Sequence, residues 1–135
     1  ELDKDFIAVV PFQGPKFNGM PELHSLTPTL TILQKKGYKV GLVTDGRMSG
    51  ASGKVPAAIH LTPEAYDGGL ISKIQTGDLI RLDSEHGIIE VLNGADVAQR
   101  AAIQKDNSQF HFGSELFAKL RAGVSMSEEG ASFII

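Results

Sequence analysis

The chain has 135 residues, 41% hydrophobic and 21% charged, with a net charge of −3, the size and balance of one globular domain with a packed core. That charge gives no basic footprint for nucleic acid, and no apolar stretch nears the roughly 20 residues that span a bilayer. The absence of cysteine excludes disulfides, thiolate ligands to a metal or iron–sulfur cluster, and a Cys nucleophile within these residues. The opening residues 1–10 (ELDKDFIAVV) lack the basic segment of a secretory signal, so the expected compartment is the cytoplasm. A chain that begins at Glu1 is expected to be processed or part of a longer protein.

In chain order, residues 6–12 (FIAVVPF) are apolar and rich in β-branched side chains, which predicts a strand. A loop follows over 13–22 (QGPKFNGMPE), broken by Gly14-Pro15 and Met20-Pro21. Ser25 or Thr27 is placed to cap a helix whose Leu26, Leu30 and Leu33 share one face and whose end is marked by Lys35, Lys36 and Gly37. Residues 38–43 (YKVGLV) predict a second, buried strand. The opening therefore predicts a βαβ-like unit whose two polar loops face the same way if the strands are parallel. Beyond it, 55–61 reads as a strand or buried segment, and 62–65 as a helical turn stopped by Gly68-Gly69. Short β runs follow at 70–74, 79–82 and 88–92, separated by the turn sequences QTGD and DSEHG, in the manner of a small barrel or sandwich. Helix is predicted over 95–104 and, after a loop at 106–113, over 115–122, where Leu116, Phe117 and Leu120 form an apolar stripe behind a Ser114 cap. Residues 123–135 are expected to be a mobile tail on a single domain.

The densest chemistry lies in residues 43–54 (VTDGRMSGASGK), which follow the second strand. Asp45, Arg47, Ser49, Ser52 and Lys54 stand there among Gly46, Gly50 and Gly53, with Gly41 just before. A polar glycine-rich turn at the end of a buried strand is where α/β proteins place ligands. The spacing fits neither the G-x-S-x-G elbow of hydrolases nor a P-loop. On spacing alone Ser49 is a helix cap or phosphate binder before it is a nucleophile or base. Asp45 and Arg47 either pair with neighbours or orient a ligand, and Arg47 has the fork for a carboxylate or phosphate. Lys54 is a point charge for phosphate or a solvated lysine. Glu22 is a helix-start carboxylate or a hard-metal ligand that needs further donors from elsewhere. His24, His60, His86 and His111 have no ligand spacing and are read as structural, with His24 kept as a second-rank candidate beside Glu22.

Two segments, 13–27 (QGPKFNGMPELHSLT) and 43–65 (VTDGRMSGASGKVPAAIHLTPEA), resemble the C-terminal domain of the dihydroxyacid dehydratase/6-phosphogluconate dehydratase family. The DGRxSG core is shared across that family, and GASGKVPAAIHLTPEA is closer to the 6-phosphogluconate branch. GDLIRLD at 77–83 and ELFAKLR at 115–121 extend the likeness to about residues 7–122.

The resemblance implies a swivelling β/β/α domain, a barrel-like sheet with flanking helices, in a hydro-lyase. It implies removal of water from 6-phospho-D-gluconate to give 2-dehydro-3-deoxy-6-phosphogluconate in the Entner–Doudoroff pathway. An iron–sulfur cluster of the 4Fe-4S type would act as Lewis acid on the leaving hydroxyl, and Mg²⁺ would hold the substrate carboxylate. Ser49 matches the family's serine base and Glu22 the glutamate that reaches the metal. Arg47, Lys54, Ser52 and Asp45 become substrate-binding candidates. The family's cluster cysteines lie in an N-terminal domain, so this chain is expected to be inert alone and to work against that domain, as a homodimer or larger assembly. Two other readings stand: a dehydratase of a non-phosphorylated dihydroxy or aldonic acid, and a non-catalytic swivelling module. Whether Ser49 and Glu22, 27 residues apart, come from loops at the same end of the sheet discriminates the shared site from the module.

Overall fold

The computed structural model describes residues 3–49, 53–106 and 114–134. At its centre lie three parallel strands, β1 (Phe6–Val10), β2 (Val40–Thr44) and β3 (Ala57–Ala58), in that spatial order. Phe6 pairs with Val40 and Val10 with Thr44, while Leu42 and Val43 pair with Ala57 and Ala58. Both faces of this sheet are covered, so its strands are continuously apolar rather than alternating apolar and polar. On one face Ile7, Val9, Val43 and Ala58 pack with Phe12, Phe17, Ala65 and Ile71. On the other, Phe6, Ala8, Val10, Val40 and Leu42 pack with Leu30, Leu33 and Val55.

The short helix α1 (Pro15–Asn18) follows β1, and α2 (Leu26–Lys35) makes the crossover to β2. Helix α2 buries Thr27, Leu30 and Leu33, the face expected from the leucine spacing. It ends through Lys36 and a left-handed Gly37, φ +97°. Ser25 stands at its N-cap but contributes no side-chain hydrogen bond.

After β3 the chain forms two 3₁₀ turns, Ala65–Asp67 and Leu70–Lys73, before the antiparallel hairpin of β4 (Ile80–Asp83) and β5 (Ile88–Val91). The hairpin docks where β2 has no side chain: a Cβ on Gly41 would stand 2.9 Å from Leu82 Cδ2. Its open end is tied to α3 (Gly94–Gln99) by Asp78, whose Oδ2 and Oδ1 accept from Arg100 Nη1 at 2.6 Å and Nη2 at 2.9 Å. Gln75 N–H and Asn93 Nδ2 complete that carboxylate's shell, and these hydrogen bonds hold Asp78 well below the usual carboxylate range. The chain continues into α4 (Ser114–Ala122), which contacts α1, and a final 3₁₀ turn at Ser127–Glu129.

The fold is mixed α/β, as expected, but several details differ. The predicted strand at 70–74 is a 3₁₀ turn, because Ser72 returns both its N–H and its hydroxyl to the Gly69 carbonyl, at 2.9 and 2.7 Å. The segment 55–61 yields only two strand residues, since Pro56 has no N–H to give a ladder. Leu116, Phe117 and Leu120 on α4 are 74%, 53% and 46% exposed rather than packed. Among the described residues the parallel sheet and the hairpin remain two separate sheets and do not close into a barrel.

Candidate active site

The three parallel strands send their following loops out at one edge, the carboxyl edge, where open α/β sheets bind ligands. Residues 11–25 leave β1 there, the segment starting at Asp45 leaves β2, and residues 59–64 leave β3. The two candidate-bearing loops thus share one end of the sheet.

They are joined through Asp45. Its fully buried carboxylate accepts Phe12 N–H (3.1 Å) and Ala65 N–H (2.8 Å) on Oδ2, and Gln13 N–H (2.8 Å) on Oδ1. Asp45 therefore spends both oxygens on backbone donors of the other two loops, the neighbour-pairing alternative for this residue. Gly46 is required beside it, since a Cβ there would lie 2.5 Å from Gln13 Cβ and 2.9 Å from Gln13 O. Thr44 Oγ1 donates to Val10 O at 2.7 Å and accepts Gly46 N–H at 3.0 Å, while Gly46 O accepts from His60 N–H at 2.9 Å.

A second buried carboxylate, Glu64, accepts Lys16 N–H (3.0 Å) and Phe17 N–H (3.2 Å) at the start of α1. Burial pushes its pKa up, opposed by these two hydrogen bonds and reinforced by the nearby Asp45 charge. Sequence reading missed Glu64. Its position after Pro63 in an apolar neighbourhood gave no spacing signal, and its partners lie 47 and 48 residues away. Phe12 and Met20, in the loop after β1, and His60, in the loop after β3, hold φ of +63°, +54° and +57°, a cost that packing must offset.

Arg47 and Glu22 meet directly. Arg47 Nη1 donates to Glu22 Oε1 at 3.0 Å, Arg47 Nε donates to Met20 O at 2.7 Å, and Leu23 N–H donates to Arg47 O at 3.3 Å. The backbones of Glu22 and Arg47 form an isolated parallel bridge. Ser49 follows two residues on, half-buried, after Met48, whose side chain packs against the core beneath α2. Lys54 is exposed beside a shallow depression with Met48, Val55, Ile59 and Ser84. Ser52 lies outside the described residues, as does His111. His24 and His60 are exposed, and His86 Nδ1 pairs with Asp83 at 2.9 Å in the hairpin turn, so the described histidines supply no cluster.

Among the described residues no group of three or more acidic or histidine side chains could hold a metal. Glu22, exposed and ion-paired through Oε1 with Arg47, is a single carboxylate there, too few donors for a hard cation by itself. No residue here fits an iron–sulfur cluster, whose thiolates this cysteine-free chain cannot supply.

The arrangement defines a mixed α/β region with a polar, glycine-rich site at the carboxyl edge of a small parallel sheet. The family model for the dihydroxy-acid/6-phosphogluconate dehydratase C-terminal region matches residues 1–131, and the chain belongs to that family. It is 54% identical over 99% of its length to a phosphogluconate dehydratase of Rhizobium meliloti, and 52% identical over 97% to one of Pseudomonas aeruginosa. A dihydroxy-acid dehydratase of Wolinella succinogenes is 43% identical over 77% of the chain and covered over 18% of its own length. The chain spans 22–23% of the length of the phosphogluconate dehydratases it matches.

Proposed function

We propose that this chain forms the C-terminal part of a hydro-lyase that removes water from 6-phospho-D-gluconate to give 2-dehydro-3-deoxy-6-phosphogluconate, a step of gluconate breakdown by the Entner–Doudoroff route. The observation that carries the reading is the meeting of Glu22 with Arg47, two residues before Ser49, at the carboxyl edge of the sheet. The choice of substrate branch is supported by 52–54% identity to phosphogluconate dehydratases, against 43% over a shorter span to a dihydroxy-acid dehydratase.

In this reading Ser49, as alkoxide, takes the proton from C2. Ser49 then returns that proton to the departing C3 hydroxyl, which leaves as water, and the enol left behind tautomerises to the 2-keto acid. An ordinary serine is a weak base, so its oxyanion needs the N–H groups of a glycine-rich turn and a nearby cation. Arg47 is the nearest described guanidinium in sequence. Glu22 would hold Mg²⁺, which supplies charge stabilisation to the developing enolate when bound. Lys54 and Ser52 are assigned to the substrate phosphate. Asp45 acts on the site through the loops it clamps. The cluster is assigned to the protein's N-terminal domain, against which this region swivels; a homodimer in the cytoplasm is the proposed assembly, and this chain alone is inert.

The test is 2-keto acid formation by the full-length protein, kept from oxygen and supplied with Mg²⁺. Substrates are 6-phosphogluconate, gluconate and 2,3-dihydroxyisovalerate. The proposal predicts preference for the phosphorylated acid, with Lys54→Ala raising KM for it far more than for gluconate. Preference for either other acid contradicts the substrate; equal KM effects contradict the role of Lys54.

A further inference from the structure

We infer that residues 125–132 act as a strap: a self-closed turn that hooks the loop after β1 to the loop after β3 across the carboxyl edge, so that the two loops open together when it lets go. The device does not depend on which reaction the site performs.

The turn closes on itself first. Ser125 N–H donates to Ser132 O at 2.9 Å, and Ser132 N–H donates back to Ser125 Oγ at 3.1 Å. Within that ring Ala131 N–H reaches Met126 O at 3.0 Å, and Met126 N–H reaches Glu129 Oε2 at 3.3 Å. Ser125 is buried, and Gly130 takes the left-handed φ of +94° at the end of the 3₁₀ turn. The turn then offers two neighbouring side chains to the loops of the sheet. Glu128 Oε2 accepts from Thr62 Oγ1 at 3.1 Å, and Ser127 Oγ lies 3.9 Å from Met20 Sδ. Helix α4, which leads into the turn, also contacts α1 in the loop after β1.

These hooks fall where the loops need them. Met20 is itself left-handed, and Thr62 stands two residues after the left-handed His60. Residues in that conformation keep it only where their surroundings over-determine it. Asp45 clamps the same two loops closer to the sheet, through Phe12, Gln13 and Ala65. The strap is the outer clamp and the weaker one. A hydroxyl on an exposed carboxylate changes an opening equilibrium by only about 5-fold, and segments that open without unfolding the core are held by contacts of that kind.

The experiment is hydrogen exchange of the full-length protein, read by mass spectrometry on peptides covering residues 15–24, 57–64 and 125–132, with 40–44 of β2 as the control. Leu23, His60 and Leu61 are the reporters, since their N–H groups bond to Arg47 O, Gly46 O and Thr44 O. Glu128→Ala should speed exchange in both loops about 5-fold and leave the control unchanged. Glu128→Gln, which keeps an acceptor for Thr62, should restore most of the protection. Ser125→Ala touches neither loop but unties the turn, and should also speed exchange in both. Faster exchange confined to 125–132, one loop opening without the other, or a glutamine variant no better than alanine would each overturn the strap. Glu128 is exposed, so its variants keep the core intact and decide the matter even if Ser125→Ala disturbs the control.

Discussion

At the scale of single residues, the site depends on a buried aspartate whose chemistry is spent on the protein itself. Asp45 accepts three backbone N–H groups from two other loops, so its charge substitutes for the cross-links that loops of irregular backbone cannot make. Asp45→Asn turns one acceptor into a donor facing another donor. It should cost about 2–3 kcal/mol, read in the full-length protein as faster hydrogen exchange at Phe12, Gln13 and Ala65. Protection equal to wild type would contradict the clamp. Gly46→Ala meets Gln13 backbone and should cost about 1–3 kcal/mol with loss of activity. Gly53→Ala, whose added Cβ has nothing within 4 Å among the described residues, should leave stability unchanged. The glycines of this loop looked alike in the sequence, and only their surroundings distinguish them. Likewise Asp45 read as a ligand residue, because its acceptors' partners lie 20 to 33 residues away and no local pattern encodes them.

At the scale of elements, legibility followed how local the determining contacts are. Strands β1 and β2 and helix α2 carry their own signals: apolar runs covered on both faces, leucines at helical spacing, and a lysine–glycine stop. The short apolar runs were ambiguous. Residues 70–74 look like strand, yet Gly69 lets the chain close a 3₁₀ turn, and among the described residues no strand pairs with it. Helix α4 shows the limit of periodicity: its stripe was visible, but what covers it was not. Matched substitutions separate the two helices. Leu30→Ala, in the core under α2, should cost about 2–5 kcal/mol. Leu116→Ala on α4 should cost less than about 0.5 kcal/mol where that face is bare. Unfolding by urea, followed at each helix by hydrogen exchange, reads both; a large loss at Leu116 would mean that the stripe is packed in the full-length protein.

At the scale of the whole molecule, two carboxylates tie stability to pH with opposite sign. Asp78 is held below the usual carboxylate range by Arg100 and its other donors, so its contribution is complete near neutrality and is lost as pH falls through the lowered value. Glu64 is raised above 4.5 by burial, so the folded state binds its proton more tightly than the unfolded state does. Its contribution is greatest at acid pH and declines as pH rises from about 4.5 through the raised value. Asp78→Asn should therefore flatten the acid limb of a stability–pH curve, and Glu64→Gln the decline above it; unchanged limbs would contradict these assignments.

In the proposed function the loops leaving β1 and β2 bring Ser49, as base, and Glu22, as metal ligand, to one site. The most direct measurement is exchange of the substrate C2 proton with solvent, and keto-acid formation, by the full-length protein and its Ser49→Ala variant at saturating Mg²⁺. If Ser49 is the base, Ser49→Ala loses both exchange and turnover while binding Mn²⁺ as wild type does. Exchange that survives in Ser49→Ala would contradict it and move the base to another part of the protein.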